Sequence, residues 1–274
     1  MKIKDLVNYP NSFKKLKIID THAHLGPTKA MYIPGNPNIE GLIKTMDRIG
    51  IEQIFIAPHI AISCDYISGN NLVLKAAQKY PGRVIALATA NINYNSQNIR
   101  ELDRCFKNSL FKGIKLHPDF LEYSVKDFRL NAVFRFAADH GAFIISHTDA
   151  RVNSNHLIKF SDPSWFEPYL QEFKNVDVIF AHCGLTPEGF EESLRLSKLY
   201  SNVYLDTTGF RFSDIWTVEE IARRVSVKKL LFGSDMPYND AVSALGRVIY
   251  ADISEENKHR ILYKNALDIL QKRR

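Results

Sequence analysis

The sequence predicts an α/β fold in which eight parallel strands close into a (β/α)₈ TIM barrel, formed by a single domain over residues 1–274. Short and solidly apolar runs, typical of parallel strands buried on both faces, recur eight times. Amphipathic helical patterns separate these runs, as in successive βαβ units. A length of 274 residues suits one barrel. A doubly wound open sheet is the alternative, but the glycine-rich first turn of a dinucleotide fold is missing.

The elements follow from local signals along the chain. The predicted strands are Leu16–Asp20, Gln53–Ala57, Val84–Ala88, Gly113–Leu116, Phe143–Ser146, Val176–Ala181, Val203–Asp206 and Leu230–Gly233. Asp162 and Thr186 each precede a proline, the order expected of an N-cap and a first helical residue. Gly50 ends the first helical pattern, and Ser254 is the predicted N-cap of the last helix.

Composition limits the classes of partner. The net charge of +6 is spread over the chain, and no helix carries the continuous basic face of a nucleic-acid-binding protein. No apolar run approaches the ~20 residues of a membrane span. The three cysteines, Cys64, Cys105 and Cys183, have no paired spacing, as in a reduced compartment. We therefore expect a cytoplasmic protein that acts on a small molecule and binds neither nucleic acid nor membrane.

Two histidines stand one residue apart in the segment IIDTHAHLGP. On a strand, residues i and i+2 point the same way, so His22 and His24 face one side together. Neutral imidazole is the commonest side-chain metal ligand. This segment alone fits a metal site or two surface histidines in a loop.

Further polar residues follow the predicted strands. The carboxyl ends of all strands of a barrel meet at one mouth, where the catalytic residues of such barrels lie. The residues at or just after predicted strand ends are His22, His24, Lys115, His117, His147, Asp149, His182, Asp206 and Asp235. His59 also follows a strand, but the turn after it favours a structural role. The remaining histidines, His140, His156 and His259, lie on predicted helices or loops and are expected at the surface.

A metal site follows from part of this set. Nitrogens from His22, His24 and His147 and an oxygen from Asp235 suit Zn²⁺ and leave room for a water. The ion would lower the pKa of that water toward ~7, and Asp235 could take its proton. His182 is placed to hold or polarise a substrate oxygen or to transfer a proton. Any one of these histidines could instead be a core residue satisfied by its neighbours.

The motifs carry a resemblance to a known family. They are DTHAHLG, YPGRVIALATAN, FKGIKLHPDF, DHGAFIISHT, FKNVDVIFAHCG, YSNVYLDTTGF, LLFGSDMP and KNALDIL, in that order. The chain resembles the amidohydrolase superfamily, and in it the amidohydrolase-related branch that includes aminocarboxymuconate-semialdehyde decarboxylase. The resemblance implies a barrel fold and one zinc held by His22, His24, His147 and Asp235. It also implies a catalytic or substrate-polarising His182 and a homodimer.

Lys115 has two interpretations. In several branches of the superfamily, the residue ending the fourth strand is a carboxylated lysine or a glutamate that bridges two metals. Lys115 would then be such a bridge, and His182 would bind the second metal. In the single-metal interpretation, which we favour, Lys115 stays an ammonium and pairs with a substrate carboxylate.

The predicted function is hydrolysis, in which metal-activated water attacks the carbonyl of an amide, lactone or ester in a small and anionic substrate. The alternative is a non-oxidative decarboxylase or hydratase, a lyase that uses the same metal on an unsaturated or aromatic carboxylic acid. A barrel that binds a ligand without turnover would have a broken ligand set. Cys183, beside His182, has no assigned base and is interpreted as a packing residue.

Overall fold

Eight parallel strands form one sheet in sequence order in the computed structural model. The structure describes residues 16–28, 32–33, 35, 37–94, 96–151, 160–208 and 215–272. The strands are β1 Ile19–Leu25, β2 Gln53–Pro58, β3 Val84–Thr89, β4 Phe111–Leu116, β5 Phe143–Asp149, β6 Val178–Gly184, β7 Val203–Asp206 and β8 Leu230–Leu231. Every neighbouring pair from β1 to β8 is parallel. The predicted TIM-barrel fold is confirmed.

Helices connect the strands. The α-helices of the described residues are α1 Ile39–Ile49, α2 His59–Ser63, α3 Tyr66–Lys79, α4 Ser96–Phe106, α5 Pro118–Leu121, α6 Leu130–Asp139, α7 Glu167–Glu172, α8 Pro187–Leu199, α9 Ile215–Arg224, α10 Ala241–Tyr250, α11 Glu255–His259 and α12 Asn265–Gln271. Short 3₁₀ turns cover Ile92–Tyr94, Pro163–Phe166 and Val227–Lys229. None of these helices is long and apolar enough to cross a membrane.

The predicted helix boundaries have the expected caps. The side chains of Asp162, Thr186 and Ser254 each accept a hydrogen bond from a backbone N–H of the following turn. Gly50 ends α1 with φ 85°, a left-handed conformation that glycine adopts without strain. The last predicted helix is interrupted by a π-helical turn, Arg260–Lys264, between α11 and α12.

The core has two layers. Most apolar residues pack between the strands and the surrounding helices. A smaller cluster alternates with them along the strands and fills the inside of the barrel; it includes Ile19, Phe55, Leu87, Phe143, Ile145, Ile179 and Leu231. In β5, Phe143 and Ile145 belong to this inner cluster, so His147, two residues further, also faces inward. The apolar filling therefore forms a floor beneath the mouth.

The barrel is closed by hydrogen bonds between β1 and the segment that follows β8. They run from Thr21 N to Phe232 O (2.9 Å), from Asp235 N to His22 O (2.8 Å) and from His24 N to Met236 O (2.8 Å). We call this set the closing seam. Because the seam pairs the backbone of His22 and His24 with that of Asp235 and its neighbour, it brings both imidazoles to the carboxylate.

Two predicted strand boundaries are wrong at this seam. The first predicted strand, Leu16–Asp20, ends before the histidines, whereas β1 runs from Ile19 to Leu25 and contains both. Pairing with β2 on one side and the seam on the other keeps the backbone extended through these polar residues. The last predicted strand, Leu230–Gly233, is shorter in the structure, where β8 covers Leu230–Leu231.

Asp20 is a buried carboxyl group at the closing seam. Its oxygens accept hydrogen bonds from the backbone N–H of His22 (3.1 Å) and from the N–H and hydroxyl of Ser234 (3.0 and 2.5 Å). Burial is the largest cause that raises the pKa of Asp20 to about 7, and the hydrogen bonds only partly oppose it. Ionising Asp20 therefore costs stability in the folded protein.

Asp20→Asn tests this cost. A folded pKa above the unfolded value contributes stability that is complete below about pH 4 and lost as the pH rises to about 7. The free energy of unfolding of the wild type should therefore fall relative to that of the variant by about 4 kcal/mol over this range. Urea unfolding of both proteins at several pH values, with a chelator present, measures the difference. A difference that does not change with pH would contradict the assignment.

Candidate active site

The predicted site residues lie together at the mouth of the barrel. His22 and His24 are in β1, Lys115 is in β4, His147 is in β5 and His182 is in β6. Asp235 follows β8 and, like His182, has a positive φ (62° and 66°). Such conformations cost energy in residues other than glycine and cluster at functional sites. The ring centroid of His22 lies 5.1 Å from that of His24 and 5.0 Å from that of His182. The centroids of His147 and His182 are 4.8 Å apart.

Hydrogen bonds to the outer nitrogens set the tautomers of the β1 histidines. His22 Nδ1 lies 2.8 Å from Asp206 Oδ2, and His24 Nδ1 lies 2.9 Å from Ala57 O. Because both partners are acceptors, each Nδ1 carries the ring proton, and each Nε2 keeps a lone pair. Burial lowers the pKa of His24 to about 3 and that of His22 well below its usual value, which keeps both rings neutral.

The Asp235 carboxylate lies at a suitable distance from both lone pairs. Its Oδ1 is 3.6 Å from His22 Nε2 and 3.2 Å from His24 Nε2. Two ligands bound at 2.0–2.1 Å at a tetrahedral angle lie about 3.4 Å apart. Its Oδ2 accepts a hydrogen bond from Asn239 Nδ2 (2.9 Å), which fixes the plane of the carboxylate. Both distances to Asp235 are compatible with ligands that share one divalent ion.

His147 can contribute a fourth lone pair through its other nitrogen. Its Nε2 lies 3.7 Å from Asp119 Oδ2, in a second group of potential ligands with Asp149. Its Nδ1 is buried and has no hydrogen-bond partner among the described residues. If the proton is on Nε2, facing the Asp119 carboxylate, Nδ1 offers the lone pair of a metal ligand. An unpartnered buried nitrogen is costly, and binding an ion would satisfy it.

His182 is held as a proton acceptor. Its backbone N–H donates to Asp206 Oδ1 (3.0 Å), and its Nδ1 lies 3.1 Å from Thr208 Oγ1. Thr208 uses its only hydroxyl proton on Asp206 Oδ1 (2.5 Å), so it accepts from His182 Nδ1–H. His182 Nε2 therefore has a lone pair, and His22, His182 and Asp235 form a group whose ligand atoms lie within 4.8 Å of one another.

Lys115 donates to the same lone pair that a metal ion would use. Its Nζ lies 2.8 Å from His22 Nε2, and only 1% of the residue is exposed. Burial lowers the pKa of Lys115 to about 8, although Asp235 and Asp206 partly oppose this. A metal bound to His22 would displace this hydrogen bond and would lie close to the ammonium.

Three residues without a predicted catalytic or ligand role support the site: Asp206, Thr208 and His59. Asp206, at the end of β7, orients both His22 and His182, and its position at a strand end was a usable signal. Thr208 gave no signal in the sequence. His59, interpreted as structural, packs against His24 and Tyr238 with centroids 5.1 and 4.4 Å away. It therefore supports a candidate ligand directly.

Cys183 is a packing residue, as the sequence indicates. It is buried, and its Sγ donates to Asp206 O (3.6 Å). Burial raises the pKa of its thiol, so Cys183 lacks the thiolate of a nucleophile.

Fold and site together define a class of protein: a (β/α)₈ barrel with a candidate divalent-metal centre at the carboxyl ends of its strands. The sequence model of the amidohydrolase family matches residues 19–272 of this chain. The chain therefore belongs to the amidohydrolase family, and the prediction of an amidohydrolase-type, metal-dependent enzyme is confirmed. A search of curated protein sequences found no match.

Solved structures of the same fold include two decarboxylases and a protein described as a hydrolase. A 5-carboxyvanillate decarboxylase from Novosphingobium aromaticivorans, complexed with manganese and 4-hydroxy-3-methoxy-5-nitrobenzoic acid, is 15% identical, with a TM-score of 0.74 over 94% of this chain and 97% of that one. A 2,6-dihydroxybenzoate decarboxylase from Rhizobium is 16% identical (TM-score 0.69; 94% and 99%). A probable 2-pyrone-4,6-dicarboxylic acid hydrolase from Acinetobacter baumannii is 17% identical (TM-score 0.70; 93% and 99%). At these identities the likeness shows the fold alone.

Asp206→Asn tests how the His22 tautomer is set. An amide NH₂ facing His22 Nδ1 would favour the tautomer that is protonated on Nε2. In that tautomer Nε2 has no lone pair with which to bind a metal. The affinity for Zn²⁺ should fall about 10- to 100-fold, as for other residues that orient metal ligands. Calorimetric zinc titration of the variant, with the exposed Asp252→Asn as control, measures this. Unchanged affinity in a folded Asp206→Asn protein would refute the role of Asp206.

Lys115→Met tests the two interpretations of Lys115. If Lys115 is an ammonium, its removal relieves repulsion of the ion, and the zinc affinity should rise at least about tenfold. If it is a carboxylated bridge, the stoichiometry should instead fall from two ions to one. Zinc titration and metal analysis separate these results. Lys112→Met, in the same strand, is the matched control, and no change in either quantity would refute both interpretations.

Proposed function

We propose that the protein is a metal-dependent hydrolase that cleaves an amide, lactone or ester bond in a small anionic substrate. One observation carries the proposal: His22 and His24 each keep an Nε2 lone pair within 3.6 Å of the buried Asp235 carboxylate at the barrel mouth. We assign His147, whose buried Nδ1 has no hydrogen-bond partner among the described residues, as the further ligand. A cluster of neutral imidazoles with one carboxylate suits a divalent ion rather than a purely organic reaction.

Zinc is the ion that we propose for this centre. The donor set has three nitrogens and one oxygen and no thiolate, and all four groups are largely buried. A divalent ion held by these residues supplies Lewis acidity and lowers the pKa of water toward ~7. The hydrogen bonds to Asp206 and Ala57 would keep the rings of His22 and His24 oriented in either the loaded or the free protein.

The chain's own residues supply proton transfer and substrate binding. Asp235 is buried, which raises the pKa of its carboxyl group and makes it a stronger base. It is the proposed acceptor of the proton lost by the attacking water and the donor to the leaving group. His182, with its Nε2 lone pair, is a second acceptor close to Asp235. The Lys115 ammonium is the proposed partner of a substrate carboxylate.

Non-oxidative decarboxylation is the second candidate function. A buried lysine ammonium at the centre of the site favours it, because such a group can hold a substrate carboxylate next to the reacting carbon. The decarboxylases among the solved structures of the same fold support it as an analogy. A hydratase would use the same groups on an unsaturated acid.

Product analysis distinguishes these functions. The zinc-loaded protein is incubated with a panel of small lactones, esters, amides and aromatic carboxylic acids, and both CO₂ and newly formed carboxylates are measured. Hydrolysis predicts a new carboxylate without CO₂, whereas CO₂ release would establish decarboxylation. Chelator-treated protein should be inactive, and the exposed His259→Ala variant should behave as wild type. Equal turnover after complete removal of metal would contradict the proposal.

A further inference from the structure

His117 directly follows β4, two residues beyond Lys115. A Cβ atom added at Gly113 would lie 2.3 Å from the Phe143 ring inside the barrel, which shows that residue 113 faces inward. Lys115 and His117 follow at intervals of two residues and continue this face to the mouth. His117 is 5% exposed. The sequence singles out His117 by its position, but the proposed chemistry gives it no role.

The His117 ring is held on both faces. It stacks on Phe120 with centroids 4.1 Å apart and an interplanar angle of 7°, and on His147 at 4.3 Å and 10°. Because both faces are covered by nearly parallel rings, the imidazole plane has little freedom. Only the edge of the ring is available for a further contact.

One edge nitrogen is already used. His117 is the N-cap of α5, and its Nδ1 accepts a hydrogen bond from the backbone N–H of Phe120 (3.3 Å). A nitrogen that accepts this bond carries no proton, so the single ring proton is on Nε2. His22, His24 and His182 have the opposite tautomer. His117 is thus an N–H donor beside rings that offer lone pairs.

The Nε2–H group is free to bind a ligand. It has no hydrogen-bond partner among the described residues. After burial, the groups that most lower the pKa of His117 are Lys115, His24, His182 and His22, all members of the site. The ring therefore stays neutral and lies close to these groups.

We propose that His117 binds a carboxylate oxygen of the substrate through Nε2–H, next to the Lys115 ammonium. A donor-only edge requires an acceptor on the ligand, and the neighbouring cation favours an anionic oxygen over a carbonyl. Phe120, which stacks on His117 and is 40% exposed, places an aromatic ring beside this donor, as suits a planar carboxylic acid. The proposal deepens the proposed function and rests on it, because it names how the anionic substrate is recognised.

Two variants separate the donor from the cap. His117→Asn keeps an N-cap acceptor near the position of Nδ1 but loses the donor at Nε2. His117→Gln can place an amide N–H near the position of Nε2 but is a poor cap. Benzoate is the probe and benzyl alcohol its uncharged control, with dissociation constants measured by calorimetry on the zinc-loaded proteins. The tautomer of His117 is read separately from ¹H–¹⁵N spectra of the metal-free wild type.

We expect benzoate to bind wild type and His117→Gln within about threefold, and His117→Asn roughly 10- to 100-fold more weakly. Benzyl alcohol should not distinguish the proteins, and the spectra should show the Nε2–H form. Equal benzoate affinity in Asn and Gln variants, an Nδ1–H tautomer, or a zinc-loaded wild type that does not bind benzoate would each overturn the proposal. A wild type that binds no metal would refute the proposed function instead, whatever the tautomer of His117.

Discussion

The candidate active site depends on the backbone hydrogen bonds of the closing seam. The same bonds that join β1 to the segment after β8 pair His22 O with Asp235 N and His24 N with Met236 O. Closure of the barrel therefore also brings the candidate metal ligands of β1 close to Asp235. Residues more than 200 positions apart in the sequence meet because the first and last strands of a barrel are neighbours. A substitution that loosened the seam would affect stability and metal binding together.

Around this seam, a second layer of hydrogen bonds decides what each histidine offers. Asp206 accepts a hydrogen bond from His22 Nδ1–H and, with Thr208, leaves His182 Nε2 as an acceptor. Phe120 N–H has the opposite effect on His117. Four histidines at the mouth are thus divided by their hydrogen-bond partners: His22, His24 and His182 present lone pairs, and His117 presents an N–H. Burial keeps His22, His24 and His117 uncharged at neutral pH.

Much of this arrangement follows from the sequence. Solid apolar runs separated by helical patterns predict the barrel. The residues at the strand ends can also be predicted to meet, because the carboxyl ends of all strands of a barrel lie at the same mouth. The β1 boundary was missed because polar residues end an apolar pattern, although backbone pairing continues through them. The role of Thr208 depends on side-chain contacts between residues that are distant in sequence. The same is true of which nitrogen of His147, Nδ1 or Nε2, is available as a ligand. No local pattern records such contacts.

Metal analysis of the purified protein, with zinc supplied and excess removed, tests the central claim most directly. Wild type is compared with His147→Ala and with His259→Ala, a matched change at the surface. The account predicts close to one zinc per chain in wild type and in His259→Ala, and loss of zinc in His147→Ala. A wild type that retains no metal would contradict it, and so would a His147→Ala protein that holds zinc as tightly as wild type.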